Sequence, residues 1–596
     1  MSSDPGARTA TGRCLFCNLG CPLQLELFAP HRWRPQFNGT TTTCARGQML
    51  SDLLQSPHRL YRPRSGNAEV RLDTAIDALA RRIADPATAR VAIWMDAGLA
   101  IEELAAAQRF CAAQPERRHL LIQVPTGELG ATEGLDAAGV PQAAPDEGRS
   151  PDVFLIVGNP LATHPAAARW LFRPDAPPRR PPAIVVDSSA SPLTTYGAPA
   201  LICRPGAEWA VLAALLHAAG FTASQDMLPA NVGESAGVAP AALQQAAERL
   251  RDSRQPAALI APQAGRRDTW RALTAAAASG THAKDGWTCV LTTHANALGY
   301  ARYARRQGIG DWWTAALHGR NQPADLLLVV GWDPTSAAPR ALWEPMLAAA
   351  QHAVLLSAFP PADATAYQAI LPLALPAEAG GSFVLADGRV TRVEPVLPPP
   401  PGVPTALHIL SRLTGQPGPA DPTVVEEQLM STAPEVVPVP TAAPDLPATG
   451  GWPAVLIAEP TQYADGQLTR HACWSQQVEP YPELRLAPRD AHTLGVRDGQ
   501  LVTIHNVQGR ARVRIAVAAR QPIATACYAE PTTRGDARQP PGWLAVGSAA
   551  PAVRRLLGLR FGQADDLAAT GVLAVEIETD EAAAQGTRQE ASRGHG

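Results

Sequence analysis

The sequence lacks long apolar runs and an excess of charge of either sign. Eighteen apolar residues stand together nowhere in the 596-residue chain, so no segment is predicted to span a membrane. The first residues, MSSDPGARTATGR, also lack the apolar stretch of a signal peptide, and we expect a cytoplasmic protein. A formal net charge of -3, from 51 basic and 54 acidic residues, disfavours nucleic acid and anionic membranes as partners.

Cysteine is scarce, and most of the cysteines stand alone. The chain has nine, and its hydrophobic content of 46% is enough to fill the cores of the several domains expected for this length. Free cysteine behaves as a small hydrophobe, so the isolated cysteines are interpreted as core residues. They are Cys111, Cys203, Cys289, Cys473 and Cys527.

The other four cysteines fall within the first 44 residues. Cys14, Cys17 and Cys21 are spaced C-x2-C-x3-C, and Cys44 follows at a distance. Thiolates in this pattern converge from one loop, with a remote fourth ligand, as is typical of a cubane [4Fe-4S] cluster. A zinc site and an empty loop are the alternatives, since zinc sites more often use two separate C-x2-C pairs or mixed Cys and His.

The fourth cysteine is followed by Ala45, Arg46, Gly47 and then SPHRLYRPRSG. With the cysteine spacing, this segment resembles the amino-terminal iron-sulfur domain of the molybdopterin oxidoreductase superfamily, which includes formate dehydrogenases and nitrate reductases. That family usually has a lysine where this chain has Arg46. The arginine keeps a positive charge between the cluster and the pterin that the resemblance implies.

Helix and strand patterns alternate after this segment. AIDALARRI has apolar residues three and four apart, and VAIWM reads as a buried strand. A second helix, from about 100 to 113, leads to the strand HLLIQV. Alternation of this kind predicts parallel sheets with helices on both faces.

Two later segments repeat one pattern. Asp152 opens DVFLIVGNP and Asp325 opens DLLLVVGWDP, each a strand that ends in glycine and a polar residue. The carboxyl ends of parallel strands form the ligand crevice, so the repeat predicts two related nucleotide-binding halves. The segments VFLIVGNPLATHP and PPAIVVDSSAS also resemble the superfamily, which implies these cofactor-binding residues: Gly158, Asn159, His164, Asp187, Gly331 and Asp333.

The carboxyl-terminal part changes character after a proline-rich linker, 416–450. Short strands are predicted at LRLAP, LVTIHN, RARVRIAVA and ATACYAE, and RDAHTLGV is predicted as a short helix that stops at Gly495. This part resembles the molybdopterin dinucleotide-binding domain of the superfamily, a β barrel of the double-psi type. The resemblance implies that Gly466, Thr469 and Arg470 reach the pterin.

The predicted fold class is therefore α/β. We expect a [4Fe-4S] domain over 1–65, an α/β core of two Rossmann-like halves over 66–415, and a β barrel over 451–580, with a disordered tail at 581–596.

The segment VPTGELGATEGLDAAG, after HLLIQV, lacks the cysteine that usually binds molybdenum in this superfamily. Its oxygen candidates are Thr126, Glu128, Thr132, Glu133 and Asp136. A hard carboxylate can bind a high-valent metal, so Glu128 is the catalytic candidate. The segment as a whole is interpreted as a solvated glycine-rich loop, and His58 and His294 as structural histidines.

Three functions follow from the resemblance. The first is a formate dehydrogenase-like subunit with a bis(molybdopterin guanine dinucleotide) of molybdenum or tungsten, acting on a small molecule and passing electrons through the [4Fe-4S] cluster. The second is an electron-transfer subunit without molybdenum, related to the large subunit of NADH:quinone oxidoreductase. The third is a cofactor-poor scaffold subunit of a formyltransferase/hydrolase-type complex. The chain has no flavin or NAD motif, so a redox partner subunit in a hetero-oligomeric complex is expected.

Overall fold

The structure is a computed structural model of the chain. It describes residues 9–29, 32–36, 43–140, 142, 151–172, 182–187, 193, 200–203, 207–221, 232, 236–262, 267–317, 323–337, 340–415, 455–460, 468, 471–472, 483–486, 488–506, 509–517, 525–530, 572–573 and 576–578. No helix in these ranges combines the length and the apolar character that a membrane crossing requires.

The largest sheet has eight strands, and its central strands are parallel. Helices such as Leu72–Ala84, which buries Ile76, Leu79 and Ile83 at helical spacing, pack against it. In spatial order the strands are Gly310–Asp311, Arg118–Gln123, Val91–Asp96, Leu326–Val330, Ala353–Ser357, Ala369–Pro372, Arg64–Ser65 and Ala68–Glu69. The prediction of a parallel α/β core is confirmed.

A second, fully parallel sheet of five strands is formed by one continuous stretch of chain. Its strands, in spatial order, are Ala200–Ile202, Ala183–Asp187, Val153–Val157, Pro256–Ile260 and Trp287–Val290. VFLIV is buried at every position, as a strand covered on both faces must be. This stretch is inserted between two strands of the eight-stranded sheet, so the larger sheet is assembled from chain on both sides of the smaller one.

Two small antiparallel sheets complete the amino-terminal part and the core. The first contains Thr9–Arg13, Pro22–Ala29 and Arg32–Pro35, and the second contains Gly381–Val384 and Val390–Val393. The cysteine motif C-x2-C-x3-C is the connection between the first two strands.

The carboxyl-terminal strands form one mixed sheet of seven strands. In spatial order they are Val572–Leu573, Val455–Pro460, Thr525–Glu530, Glu483–Leu486, Gly509–Val517, Leu501–Asn506 and Glu576–Glu578. The predicted strands and the helix Pro488–Leu494, which ends at Gly495 with φ 67°, are confirmed. Closure into a double-psi barrel stays a prediction, and the linker 416–450 and the tail 581–596 lie outside the described residues.

The remaining helices connect these sheets. They are Ala45–Gln48, Leu50–Leu54, Ile101–Ala112, Thr126–Ala137, Pro160–Thr163, Ala168–Leu171, Glu208–Ala218, Pro240–Asp252, Arg267–His282, Ala297–Gln307, Trp312–Leu317, Pro334–Ala337, Arg340–Ala348, Pro376–Ala379 and Ala406–Thr414.

The interpretation of VPTGELGATEGLDAAG as a solvated loop is wrong. Residues Thr126–Ala137 form a helix that is buried along its whole length and packs on Arg267–His282. A Cβ at Gly130 would lie 2.2 Å from the Arg267 carbonyl oxygen, and a Cβ at Gly134 would lie 2.2 Å from that of Arg271. The glycines therefore allow two helix backbones to approach closely, a use that composition alone does not distinguish from a flexible loop.

Candidate functional site

The four amino-terminal cysteines are brought to one cavity. The Cys14 amide donates to the Cys21 carbonyl at 2.8 Å and closes the loop of the first three. Cys44 is the residue from which the helix Ala45–Gln48 begins. All four line one small cavity together with Arg46 and His164, and none is in a disulfide. The predicted convergence of the loop cysteines with the remote one is thus observed as a shared cavity.

Burial and the charges of neighbouring cysteines disfavour the thiolate form of Cys14, Cys17 and Cys21. Burial is the main cause that raises the pKa of Cys14 and of Cys17, and charges on the neighbouring cysteines raise both further. Burial also raises the pKa of Cys21, against the opposing charge of Arg169. A bound cationic centre would remove this penalty, because metal ligation requires deprotonated thiols.

The arrangement of the cysteines does not match a site for one ion. Within the described ranges, no group of three or more His, Cys, Asp or Glu side chains could hold a metal ion. The four cysteines share a cavity, and the cluster that their spacing predicts stays a prediction. As a donor set, four cysteines around one cavity suit a cluster held by four thiolates.

The isolated cysteines behave as predicted where their side chains are described. Cys111, Cys203 and Cys289 are buried in hydrophobic clusters. Cys473 and the side chain of Cys527 lie outside the described residues.

Arg46 and His164 lie against the cysteine cavity. The Arg46 guanidinium is buried and donates to the carbonyl oxygens of Thr163, at 2.6 Å, and Ala162, at 3.1 Å. His164 Nε2 lies 2.8 Å from the Thr292 carbonyl oxygen, and Nδ1 lies 2.8 Å from Thr163 Oγ1. Burial lowers the pKa of His164 to about 4, so the imidazole is neutral at physiological pH.

The predicted nucleotide-binding residues of the smaller sheet stand at the carboxyl ends of adjacent strands. Gly158 follows Val153–Val157 with φ 80°, and Asp187 ends the neighbouring strand and is fully buried. Asn159 caps the short helix that follows, because its Oδ1 accepts from the Ala162 amide at 3.3 Å. This hydrogen bond gives Asn159 a structural role as the cap of the helix Pro160–Thr163.

The equivalent residues of the larger sheet also have contacts within the chain. Gly331 has φ 90°, and a Cβ there would lie 2.9 Å from the Cβ of Asp96. The Asp333 carboxylate accepts from Thr335 Oγ1 at 2.7 and 2.9 Å, from the Tyr367 hydroxyl at 3.1 Å and from the Ala362 amide at 2.9 Å. Asp333 therefore joins two loops at this edge of the sheet.

A second cavity, of about 60 Å³, lies at this edge of the sheet. Asp96 and His294 line it, and no pattern in the sequence indicated that these two residues lie together. Asp96 ends the strand Val91–Asp96, and His294 lies in the turn before the helix Ala297–Gln307. The Asn296 amide donates to the Ala97 carbonyl at 3.0 Å and holds the two loops together. His294 Nε2 is 3.7 Å from Asp96 Oδ1.

Glu128 lies on the other side of the same imidazole. Its Oε2 is 3.5 Å from His294 Nδ1, and its Oε1 accepts from the Thr293 amide at 2.7 Å and the Thr293 hydroxyl at 2.6 Å. Burial alone raises the pKa of Glu128, but the hydrogen bonds and charge of His294 and the bonds from Thr293 outweigh it, so the net pKa is lowered. The Glu128 carboxylate is therefore held against His294 and Thr293, and its predicted role as a metal ligand stays a prediction.

The other residues of this helix that were candidates for a metal-binding oxygen are buried or form contacts within the chain. Glu133 forms an ion pair with Arg267, and Asp136 forms one with Arg302 at 2.8 Å. The Thr132 hydroxyl donates to the Leu129 carbonyl at 2.8 Å. Thr126 is buried in the first turn. His58, by contrast with His294, is only half-buried, and its pKa is lowered by burial.

Comparisons with known proteins bear on the carboxyl-terminal part and on the fold. Residues 457–534 match the family described as the Molydopterin dinucleotide binding domain. The fold is similar to that of acetylene hydratase from Pelobacter acetylenicus, with a TM-score of 0.69 and 12% identity over 96% of this chain and 100% of that one. No curated protein matches the sequence. At 12% identity, the likeness to that structure shows the fold alone.

The carboxyl-terminal part contacts the core and reaches the cavity of His294. The His471 ring stacks on Phe359 with centroids 4.0 Å apart and an angle of 8°, and the Ser56 hydroxyl donates to the His471 carbonyl at 3.1 Å. Leu468 lines the cavity of His294. Gly466, Thr469 and Arg470, which flank Leu468 in sequence, lie outside the described residues.

Proposed function

We propose that the chain is a molybdopterin-dependent oxidoreductase subunit that carries a [4Fe-4S] cluster next to its substrate cavity. The observation that carries the proposal is the position of Phe16. This residue lines both the cavity of the four cysteines and the cavity of His294. A centre held by the cysteines would thus be separated from a molecule at His294 by a single side chain, which suits electron transfer between them.

The described residues fit the cluster. Cys14, Cys17, Cys21 and Cys44 would hold it. The first three are buried and Cys44 is half-buried, and ligation by a cationic centre would offset the cost of ionising the buried thiols. The cluster would supply one-electron transfer. Arg46 lines this cavity and keeps a buried positive charge beside the thiolates, as the superfamily resemblance implies.

The described residues do not by themselves form a cradle for a dinucleotide. The Asp333 carboxylate and the Asn159 side-chain oxygen accept hydrogen bonds from Thr335 and Ala162 of the same chain. The cavity at His294 has a volume of only about 60 Å³. The pterin part of the proposal is supported by the domain match over 457–534. No step is derived through the pterin.

A formate dehydrogenase-like reaction is the finer proposal within this class. It implies that electrons leave through the cluster to a redox partner subunit, because the sequence has no flavin or NAD motif.

The cluster is tested by iron and acid-labile sulfide analysis of anaerobically purified protein. We expect about four of each per chain and a cubane signal in electron paramagnetic resonance after reduction. Cys17→Ser should lower the iron content, whereas the matched control Cys111→Ser, at a buried cysteine of the hydrophobic core, should leave it unchanged. Zinc in place of iron, or equal iron in both variants, would contradict the proposal.

A further inference from the structure

Asn18 directly follows Cys17 in the cysteine loop and is fully buried. Its side-chain Nδ2 donates to the Val290 carbonyl at 2.8 Å, and its Oδ1 accepts from the Thr292 amide at 3.1 Å. Its own main-chain amide donates to the Thr292 carbonyl at 3.2 Å. These hydrogen bonds tie the cysteine loop to the chain that leaves the strand Trp287–Val290.

The segment 290–294 also forms part of the cavity of His294, because Thr293 and His294 line that cavity. The Thr293 amide and hydroxyl donate to Glu128 Oε1 at 2.7 and 2.6 Å, and the hydroxyl oxygen lies 3.3 Å from His294 Nδ1. The Thr292 hydroxyl donates to the His294 carbonyl at 2.8 Å. One short segment therefore bonds to the cysteine loop through Thr292 and to Glu128 through Thr293.

An asparagine side chain suits this position because its amide offers a donor and an acceptor together. The donor meets the Val290 carbonyl and the acceptor meets the Thr292 amide, so the two main-chain groups fix the orientation of the side chain. Thr292 is fully buried, and alanine in place of Asn18 would leave its amide without this acceptor. The side chain of Asn18 therefore determines where Thr292 lies relative to the cysteine loop.

We propose that Asn18 is a positioning residue that couples the centre held by the cysteines to the cavity of His294. It acts by holding Thr292, and through the adjoining residue it sets the hydrogen bond between Thr293 and Glu128. The inference rests on the proposed function in taking the cysteines as ligands of a cluster. The reduction potential of such a cluster depends on the hydrogen bonds around its thiolates, so a neutral change at Thr293 that displaces Asn18 should alter the potential.

The test is a double-mutant cycle on the midpoint potential of the cluster. Thr293→Val removes the hydroxyl bond to Glu128 without changing the charge, and Thr293 does not line the cysteine cavity. We expect this substitution to shift the potential of the wild type, and to shift that of Asn18→Ala by about half as much or less. Gln142→Ala is the matched control background, because Gln142 also donates to the Val290 carbonyl, at 3.1 Å, from outside the cysteine loop. There the shift caused by Thr293→Val should be retained.

A second measurement does not need the cluster. The oxidised protein, as isolated, is labelled at histidine Cε1, and the His294 resonance is assigned with His294→Gln. Asn18→Ala should displace this resonance although Asn18 does not line the cavity, whereas Gln142→Ala should leave it in place. Asn18→Ser is used if the alanine variant does not fold, since a hydroxyl cannot replace a donor and an acceptor that meet two separate main-chain groups.

An equal shift of the potential by Thr293→Val in the wild type and in Asn18→Ala would overturn the inference, and so would the absence of a shift in the wild type. An unchanged His294 resonance in Asn18→Ala would overturn it as well. Iron is measured in the same samples. A missing cluster would contradict the proposed function, and the His294 resonance would then decide the link to Asn18 by itself.

Discussion

A buried ion pair joins the cysteine-bearing segment to the α/β core. Arg59 Nη1 and Nη2 donate to Glu378 Oε1 and Oε2 at 3.0 and 2.9 Å, and the two side chains are 0% and 3% exposed. Glu378 Oε2 also accepts from the Leu375 amide at 2.9 Å. Because Leu375 lines the cavity of His294, this pair fixes the position of the cavity wall as well as the contact between the two parts.

Glu378→Gln should destabilise the protein strongly, because it leaves the Arg59 guanidinium buried without a countercharge. Breaking one partner of such a pair costs about 3–5 kcal/mol of unfolding free energy. The assay is urea unfolding followed by tryptophan fluorescence, with the first transition compared between variants since a chain of several domains need not unfold in one step. We expect the midpoint of that transition to fall well below the wild-type value.

The exposed pair of Arg62 and Glu69 provides the matched control. These side chains are 76% and 61% exposed and 3.5 Å apart, so Glu69→Gln should leave the midpoint almost unchanged. Replacing both members of the buried pair, Arg59→Met with Glu378→Met, should recover most of the stability lost in Glu378→Gln. Equal midpoints for Glu378→Gln and Glu69→Gln would refute the reasoning.

Two further predictions concern the core. Burial raises the pKa of Glu103 to about 7, although backbone amides that donate to its carboxylate lower it. The folded state therefore holds this proton more tightly than the unfolded chain. The contribution of Glu103 to stability is greatest below about pH 4.3 and decreases by roughly 3–4 kcal/mol as the pH rises through 7. Glu103→Gln should flatten this decrease in urea unfolding between pH 5 and 7.5, and an unchanged slope would contradict it. Gly130→Ala should cost about 1–3 kcal/mol, because its Cβ would lie 2.2 Å from the Arg267 carbonyl oxygen. An unchanged melting temperature by circular dichroism would count against that close helix contact.

The secondary structure of the core was predictable because its signals are local. VAIWM, HLLIQV, VFLIV and DLLLVV are short apolar runs, and each forms a strand of a parallel sheet. The cysteine spacing predicted a cluster held by four thiolates; the four cysteines line one cavity, and the cluster itself stays a prediction.

The arrangement of the His294 cavity was not predictable in the same way. Asp96 ends a strand, Glu128 lies on a helix beyond the next strand, and His294 follows the last strand of the inserted sheet. These residues come together because the chain leaves the larger sheet, forms the smaller one and then comes back to the larger sheet. No short sequence pattern indicates this path. Glu128 was selected for its carboxylate, but its partners lie far away in sequence.

The chain is proposed to bind a molybdopterin cofactor through its carboxyl-terminal part and a cluster through its amino-terminal cysteines. The most direct measurement is elemental analysis for molybdenum and tungsten, together with the fluorescence of oxidised pterin, on protein isolated from its native host with its iron retained. We predict that one of the two metals and the pterin are present in proportion to the chain. Iron at about four per chain with neither metal nor pterin would contradict the account and favour an electron-transfer subunit.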